Sequence, residues 1–167
     1  MSEKPTQSDL EAIQTQLGRT PRDVHGIAYR CPCGKPAVVE TPPRLSNGEP
    51  FPTFYYATCN KLTAAISTLE TSGMMSEMTD RLHSDPELAG KYRAAHDDFI
   101  AARDAVGKQL NLDVPEVKNI SAGGMPDRVK CLHSLIAHSL GAGPGVNPLG
   151  DEALAALPKW WMDSPCE

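Results

Sequence analysis

Aromatic residues make up only 5% of this 167-residue chain, so its core must be built from Ala, Leu, Val, Ile and Met, a palette that favours helices. The formal net charge of −5 contains no basic block. That removes general nucleic-acid binding and attraction to an anionic membrane as chain-wide functions, leaving only a local basic patch open. Long apolar runs are missing too. The longest uncharged stretch, Cys131 to Gly150, is broken by histidines, glycines and prolines and excludes membrane insertion by that segment. The opening MSEKPTQSDLE lacks a basic segment followed by an apolar one, so no secretory signal is expected and the expected location is cytoplasmic. In that reducing compartment the five cysteines (Cys31, Cys33, Cys59, Cys131 and Cys166) are expected as thiols or metal ligands, not disulfides.

The length suits one domain. The pattern divides into an N-terminal segment with a short helix (1–22), a single α+β domain (23–158) and a C-terminal tail (159–167). Ser8 and Glu11 have capping-box spacing, Leu10, Ile13 and Leu17 recur at helical intervals, and Gly18 suits the end of a helix. VHGIAYR and PAVVE read as a hairpin around Cys-Pro-Cys-Gly-Lys, and TFYYAT as a third strand ending at Cys59. Helical periodicity then takes over: Asn60 to Gly73, a methionine-rich turn to about His83, a long helix from Pro86, a helix from about Pro126 to Leu140, and a short one near Asp151 to Leu157. The expected fold is a small three-stranded antiparallel sheet covered by four or five helices.

In such a meander the first strand ends at the Cys-Pro-Cys turn and the third returns to the same edge, so Cys31, Cys33 and Cys59 converge. If the helix carrying Cys131 docks there, four thiolates make a closed zinc site, with an iron-sulfur cluster as the second choice. Pro32 between the paired cysteines removes one backbone N–H that could bond a sulfur. Isolated buried thiols and a redox pair stay open as readings of the same residues. In KCLHSLIAH, helical geometry sets Cys131 and His133 on opposite faces, about 200° apart, and His138 about two turns further on. His133 borders the apolar stripe and reads as a hydrogen-bonded core residue, leaving His138 as the candidate for ligand contact or proton transfer.

SAGGMPDRVK offers a second kind of site. Gly123 and Gly124 before a helix N-terminus, with Arg128 and Lys130 nearby, would suit a phosphate or carboxylate. That supports the alternative of an enzyme or sensor for an anionic ligand; the bland reading is a flexible turn before a capped helix.

RCPCGKPAVVETPPRL, PFPTFYYATCNKLTAAISTLE, SAGGMPDRVKCLHSLIAHSL and GPGVNPLGDEAL together resemble an actinobacterial family catalogued only as a domain of unknown function. The resemblance covers about Tyr29 to Leu157. Genes of that family neighbour those for enolase, a septum-formation-initiator-like membrane protein and an exopolyphosphatase-like enzyme. By association alone, the resemblance therefore implies partners in cell division or phosphate metabolism; the residues name no partner. The leading reading is a metal-binding protein of adaptor or regulatory type, with Cys31, Cys33, Cys59 and Cys131 as ligands.

Overall fold

In the computed structural model, residues 2–21, 23–164 and 166 are described. Met1, Arg22, Pro165 and Glu167, which fall at the edges of the expected terminal segments, lie outside them. The first helix, α1 (Gln7–Leu17), is capped by Thr6 and not by Ser8. Thr6 and Asp9 share the same three-residue spacing as Ser8 and Glu11, and they exchange amide and side-chain hydrogen bonds of 2.9 and 3.2 Å. Arg30 settles the choice, because its guanidinium grips Asp9 at 2.8 Å and Glu3 at 2.7 Å and so ties α1 to the sheet. That pairing holds the Asp9 carboxyl far below its usual range.

The strands β1 (Gly26–Arg30), β2 (Pro36–Glu40) and β3 (Tyr55–Ala57) form an antiparallel sheet in the order β1-β2-β3. Ile27 pairs with Val39, and Val38 with Ala57. One sheet face is covered by α1, where Ile13, Ile27 and Val39 make a small core and Gln16 donates to the Pro36 carbonyl at 2.8 Å. The other face receives α5 (Leu132–Ala142), against which α2 (Asn60–Glu70) and α6 (Pro148–Ala155) pack, with α3 (Met74–Ser84) on α2 and α4 (Pro86–Gln109) joining α3 to α6. Six α-helices in the described residues thus make an α+β fold, one helix beyond the expected range.

The main core runs from Val38 and Tyr55 through Leu62, Ile66, Tyr92 and Phe99 to Leu135 and Ile136. Arg103, 0% exposed in the middle of α4, spends its donors on loop carbonyls: Val117 at 2.9 Å, Pro52 at 3.2 Å, and Ile120. An arginine with no buried carboxylate partner is tolerable there because its planar fork meets three acceptors.

The helix expected from Pro126 begins six residues later, at Leu132. Between them the chain folds on itself: the Lys130 amide donates to the Gly123 carbonyl at 2.7 Å and the Arg128 amide to that of Gly124 at 3.1 Å. Its remaining polar groups are met from outside, by the Tyr92 hydroxyl on the Arg128 carbonyl at 2.9 Å and by Thr79 Oγ1 on the Val129 amide at 3.0 Å. Val129 and Met125 reach the core from this loop. Their apolar spacing made a loop read as helix.

At the crossing of α5 and α6, Gly150 lies so close that an added Cβ would strike the Leu135 carbonyl oxygen and Ser139 Oγ. Gly90, on the exposed side of α4, has nothing within 4 Å. Gly150→Ala should therefore cost about 1–3 kcal/mol in urea unfolding, whereas Gly90→Ala should stabilise by roughly 0.5–1 kcal/mol.

Candidate metal centre

The site starts at the β1–β2 turn. The Cys31 amide donates to the Lys35 carbonyl at 2.9 Å and the Gly34 amide to the Cys31 carbonyl at 2.8 Å. Gly34 takes φ +93°, a left-handed value open to glycine. This tight loop aims the Cys33 amide at the Cys31 sulfur and the Lys35 amide at the Cys33 sulfur. Pro32 does remove a donor, but the following amides supply the bonds that orient thiolate ligands.

Cys59, 0% exposed, follows β3 and is the N-cap residue of α2, where the helix dipole favours negative charge. The remaining sulfur comes from the C-terminal tail. Trp160 buries its ring in the main core, and Lys61 Nζ donates to the Ser164 carbonyl and to that of Met162 at 3.3 Å. The tail so pinned brings Cys166 Sγ to 3.6 Å from Cys31 Sγ. The sulfurs of Cys31, Cys59 and Cys166 all lie within 4.8 Å of one another, and all three residues are buried. Cys33, exposed at the rim, lies outside that trio, though near enough for the Cys31 and Cys166 sulfurs to act on its thiol. With Zn–S bonds of about 2.3 Å, a tetrahedral site separates its sulfurs by about 3.8 Å. The 3.6 Å between Cys31 and Cys166 fits that edge, and the Cys59 sulfur lies within 4.8 Å of both.

Burial pushes the Cys31 thiol up, and burial together with bonds to neighbouring sulfurs pushes Cys166 far above the usual thiol range. Burial acts the same way on Cys33, but the Lys35 amide and the Cys31 and Cys166 sulfurs outweigh it and lower its pKa. Without a cation the deeper sulfurs stay protonated; a metal ion would displace those protons.

Cys131 was the fourth sulfur expected here, and the structure places it in a different group, with Glu70 and His133, whose ligand atoms lie within 4.8 Å of its own. The reason is the length of α2. Cys59 caps its start and Glu70 is its last residue, so the two groups sit at opposite ends of an 11-residue helix, roughly 16 Å apart at 1.5 Å per residue. The expectation that Cys131 and His133 face opposite ways also fails. It assumed one continuous helix, but Cys131 is the extended N-cap of α5 (φ −153°, ψ 113°) and only His133 lies inside.

His138, expected at a ligand or proton-transfer position, is 0% exposed. Its Nε2 meets Asp98 Oδ2 at 2.9 Å, its Nδ1 meets Asn147 Nδ2 at 3.2 Å, and its ring stacks on Tyr55. It is a buried, fully partnered residue. Gly123 and Gly124 precede α5 by several residues in the closed loop described above; Gly123 packs tightly against Cys131, Ser134 and Leu135 at the first turn of α5, and Arg128 and Lys130 belong to the loop and not to a helix.

An α+β domain with a buried cysteine cluster able to hold a metal ion is thus the class that fold and site define. The chain belongs to the family described as "Protein of unknown function (DUF501)", whose model matches residues 27–155. Neither curated proteins nor solved structures give a match. The matched residues include Cys31, Cys33, Cys59 and Cys131, while Cys166 lies beyond them. No helix among the described residues is long and apolar enough to cross a membrane.

Burial, only partly opposed by the Asp98 carboxylate, holds the His138 pKa below its ordinary 6.5. The unfolded chain therefore takes up this proton first, and stability present above that value is lost as pH falls below it. His138→Gln should flatten the decline in unfolding free energy below pH 6.5 relative to wild type. His96, also lowered by burial, is common to both proteins and cancels in the comparison.

Proposed function

We propose that the chain holds one zinc ion on Cys31, Cys33, Cys59 and Cys166, as a closed structural site that fastens the tail to the sheet edge. The observation that carries this reading is the buried trio of sulfurs, with Cys31 and Cys166 at 3.6 Å; Cys33, two residues from Cys31 at the rim, would turn in as the fourth ligand. Zinc is favoured over an iron-sulfur cluster because the Cys31–Cys166 separation matches the edge of a single-metal tetrahedron, and a cluster of several irons spreads its cysteines farther apart. Four thiolates leave no open coordination position, so the metal stabilises and does not catalyse. Adaptor or regulatory work, with partners in cell division or phosphate metabolism suggested by family gene neighbourhood, would then use another surface.

Protein purified without chelator or affinity metal should contain about one equivalent of zinc. Cys31→Ser and Cys166→Ser should lose it and unfold at lower temperature, while Cys131→Ser should keep it. Less than about a tenth of an equivalent, with all thiols freely titratable, overturns the reading. Retention in Cys166→Ser with loss in Cys131→Ser would return the fourth ligand to Cys131.

A further inference from the structure

The group of Glu70, Cys131 and His133 plays no part in the zinc site, and it opens onto a cleft of about 460 Å³. We propose that Cys131 is a nucleophilic centre, paired with His133 and oriented by Glu70, which takes an acyl group from a small uncharged ester or thioester bound in that cleft.

The geometry of His133 carries most of the argument. Its Nδ1 lies 3.0 Å from Glu70 Oε1 and its Nε2 lies 3.3 Å from the Thr63 carbonyl oxygen. Glu70 is an acceptor, so Nδ1 carries a proton toward it, while Ser67 Oγ at 3.4 Å can give or take the bond at Nε2. Glu70 is itself fixed, because its other oxygen accepts the Leu132 amide at 2.9 Å. A ring nitrogen of His133 lies within 4.8 Å of the Cys131 sulfur, and the Ser134 amide and hydroxyl add donors, the hydroxyl at 3.7 Å. Burial opposes ionisation of Cys131, but the imidazole and the Ser134 donors prevail and lower its pKa; the Cys131 sulfur, helped by Glu70, raises that of His133. A paired thiol and imidazole held by a third group is the arrangement of cysteine nucleophiles.

The cleft decides the substrate class. Thr53, Tyr55, Tyr56, Asn60 and Thr63 line it opposite Cys131, and among the described residues its wall includes no Lys, Arg, Asp or Glu. Hydroxyls and an amide suit a neutral polar acyl group, and the one titratable base on the wall, His133, is already bonded to Glu70. In the first step the Cys131 sulfur bonds to the acyl carbon, the bond from that carbon to the ester oxygen or thioester sulfur breaks, and the leaving group takes a proton from His133. Water then adds to the thioester carbon, one of its protons returns to His133, and the Cys131 thiolate departs, releasing the carboxylic acid.

The titratable groups facing Cys131 are His133 from α5 and Glu70 from α2, with Tyr55 and Tyr56 of β3 across the cleft. The test uses p-nitrophenyl acetate on the full chain, with nitrophenol release and peptide mapping of the acetylated cysteine. Cys131 should be acetylated at least about tenfold faster than the exposed Cys33, with a pH midpoint below that of an ordinary thiol. His133→Gln should move that midpoint upward, Glu70→Gln should move it less, and Cys131→Ala should abolish the burst. Equal labelling of Cys33 and Cys131, or an ordinary thiol midpoint at Cys131, overturns the proposal. So does a second equivalent of zinc that shields Cys131, which would make the group a metal site.

Discussion

Everything in this fold leans on α5. It touches all three strands, α2 and α6, and its depth is set by contacts with no slack: Gly141 against the ring of Tyr55 on one side, and the Leu135 carbonyl against Gly150 of α6 on the other. His138 locks the register from within. It is stacked on Tyr55, set edge-on to Phe99, and bonded to Asp98 of α4 and Asn147 at the cap of α6. A helix held on this many sides cannot slide by a residue without opening a void or forcing an overlap. Its N-terminus is therefore a fixed point, and Cys131 stands there.

The second organising element is α2, which faces one cysteine group at each end. Its first turn follows Cys59, and its positive pole lies where a four-thiolate metal site would carry excess negative charge. Its last residue, Glu70, reaches across to α5, where it bonds the Leu132 amide and the His133 ring. One short helix thus positions Cys59 in one group and Glu70 in the other. The geometry keeps them apart while coupling them through a rigid body.

Much of this was legible in the residues. The meander followed from two short β-branched runs around a turn, and the meeting of Cys31 with Cys59 followed from strand order alone, because antiparallel strands return to their starting edge. What could not be read was which distant sulfur joins them. Cys166 sits in a tail without periodicity, and the signal that it docks was the Trp160-Trp161 pair, a large apolar surface in an aromatic-poor chain that had to be buried somewhere. The Cys131 and His133 relation was misread for a specific reason. Angles per residue hold only inside a helix, and the apolar spacing of Val129 with Leu132 and Ile136 hid a helix start that lies between them.

The two thiol groups differ most in who supplies the opposing charge. Around Cys31, Cys59 and Cys166 the sulfurs meet backbone amides and one another, and burial raises the thiols of Cys31 and Cys166. Such a cluster can ionise fully only if a cation enters, since neutral dipoles do not repay the desolvation of several buried charges. Around Cys131 the chain brings its own base: His133, bonded to Glu70 at 3.0 Å, has its pKa raised and lowers that of a single half-buried sulfur. The first arrangement could hold a metal ion; the second has a titratable partner of its own and keeps its sulfur beside an open cleft. The groups that face each sulfur therefore distinguish the two sets of cysteines, which spacing along the chain does not reveal.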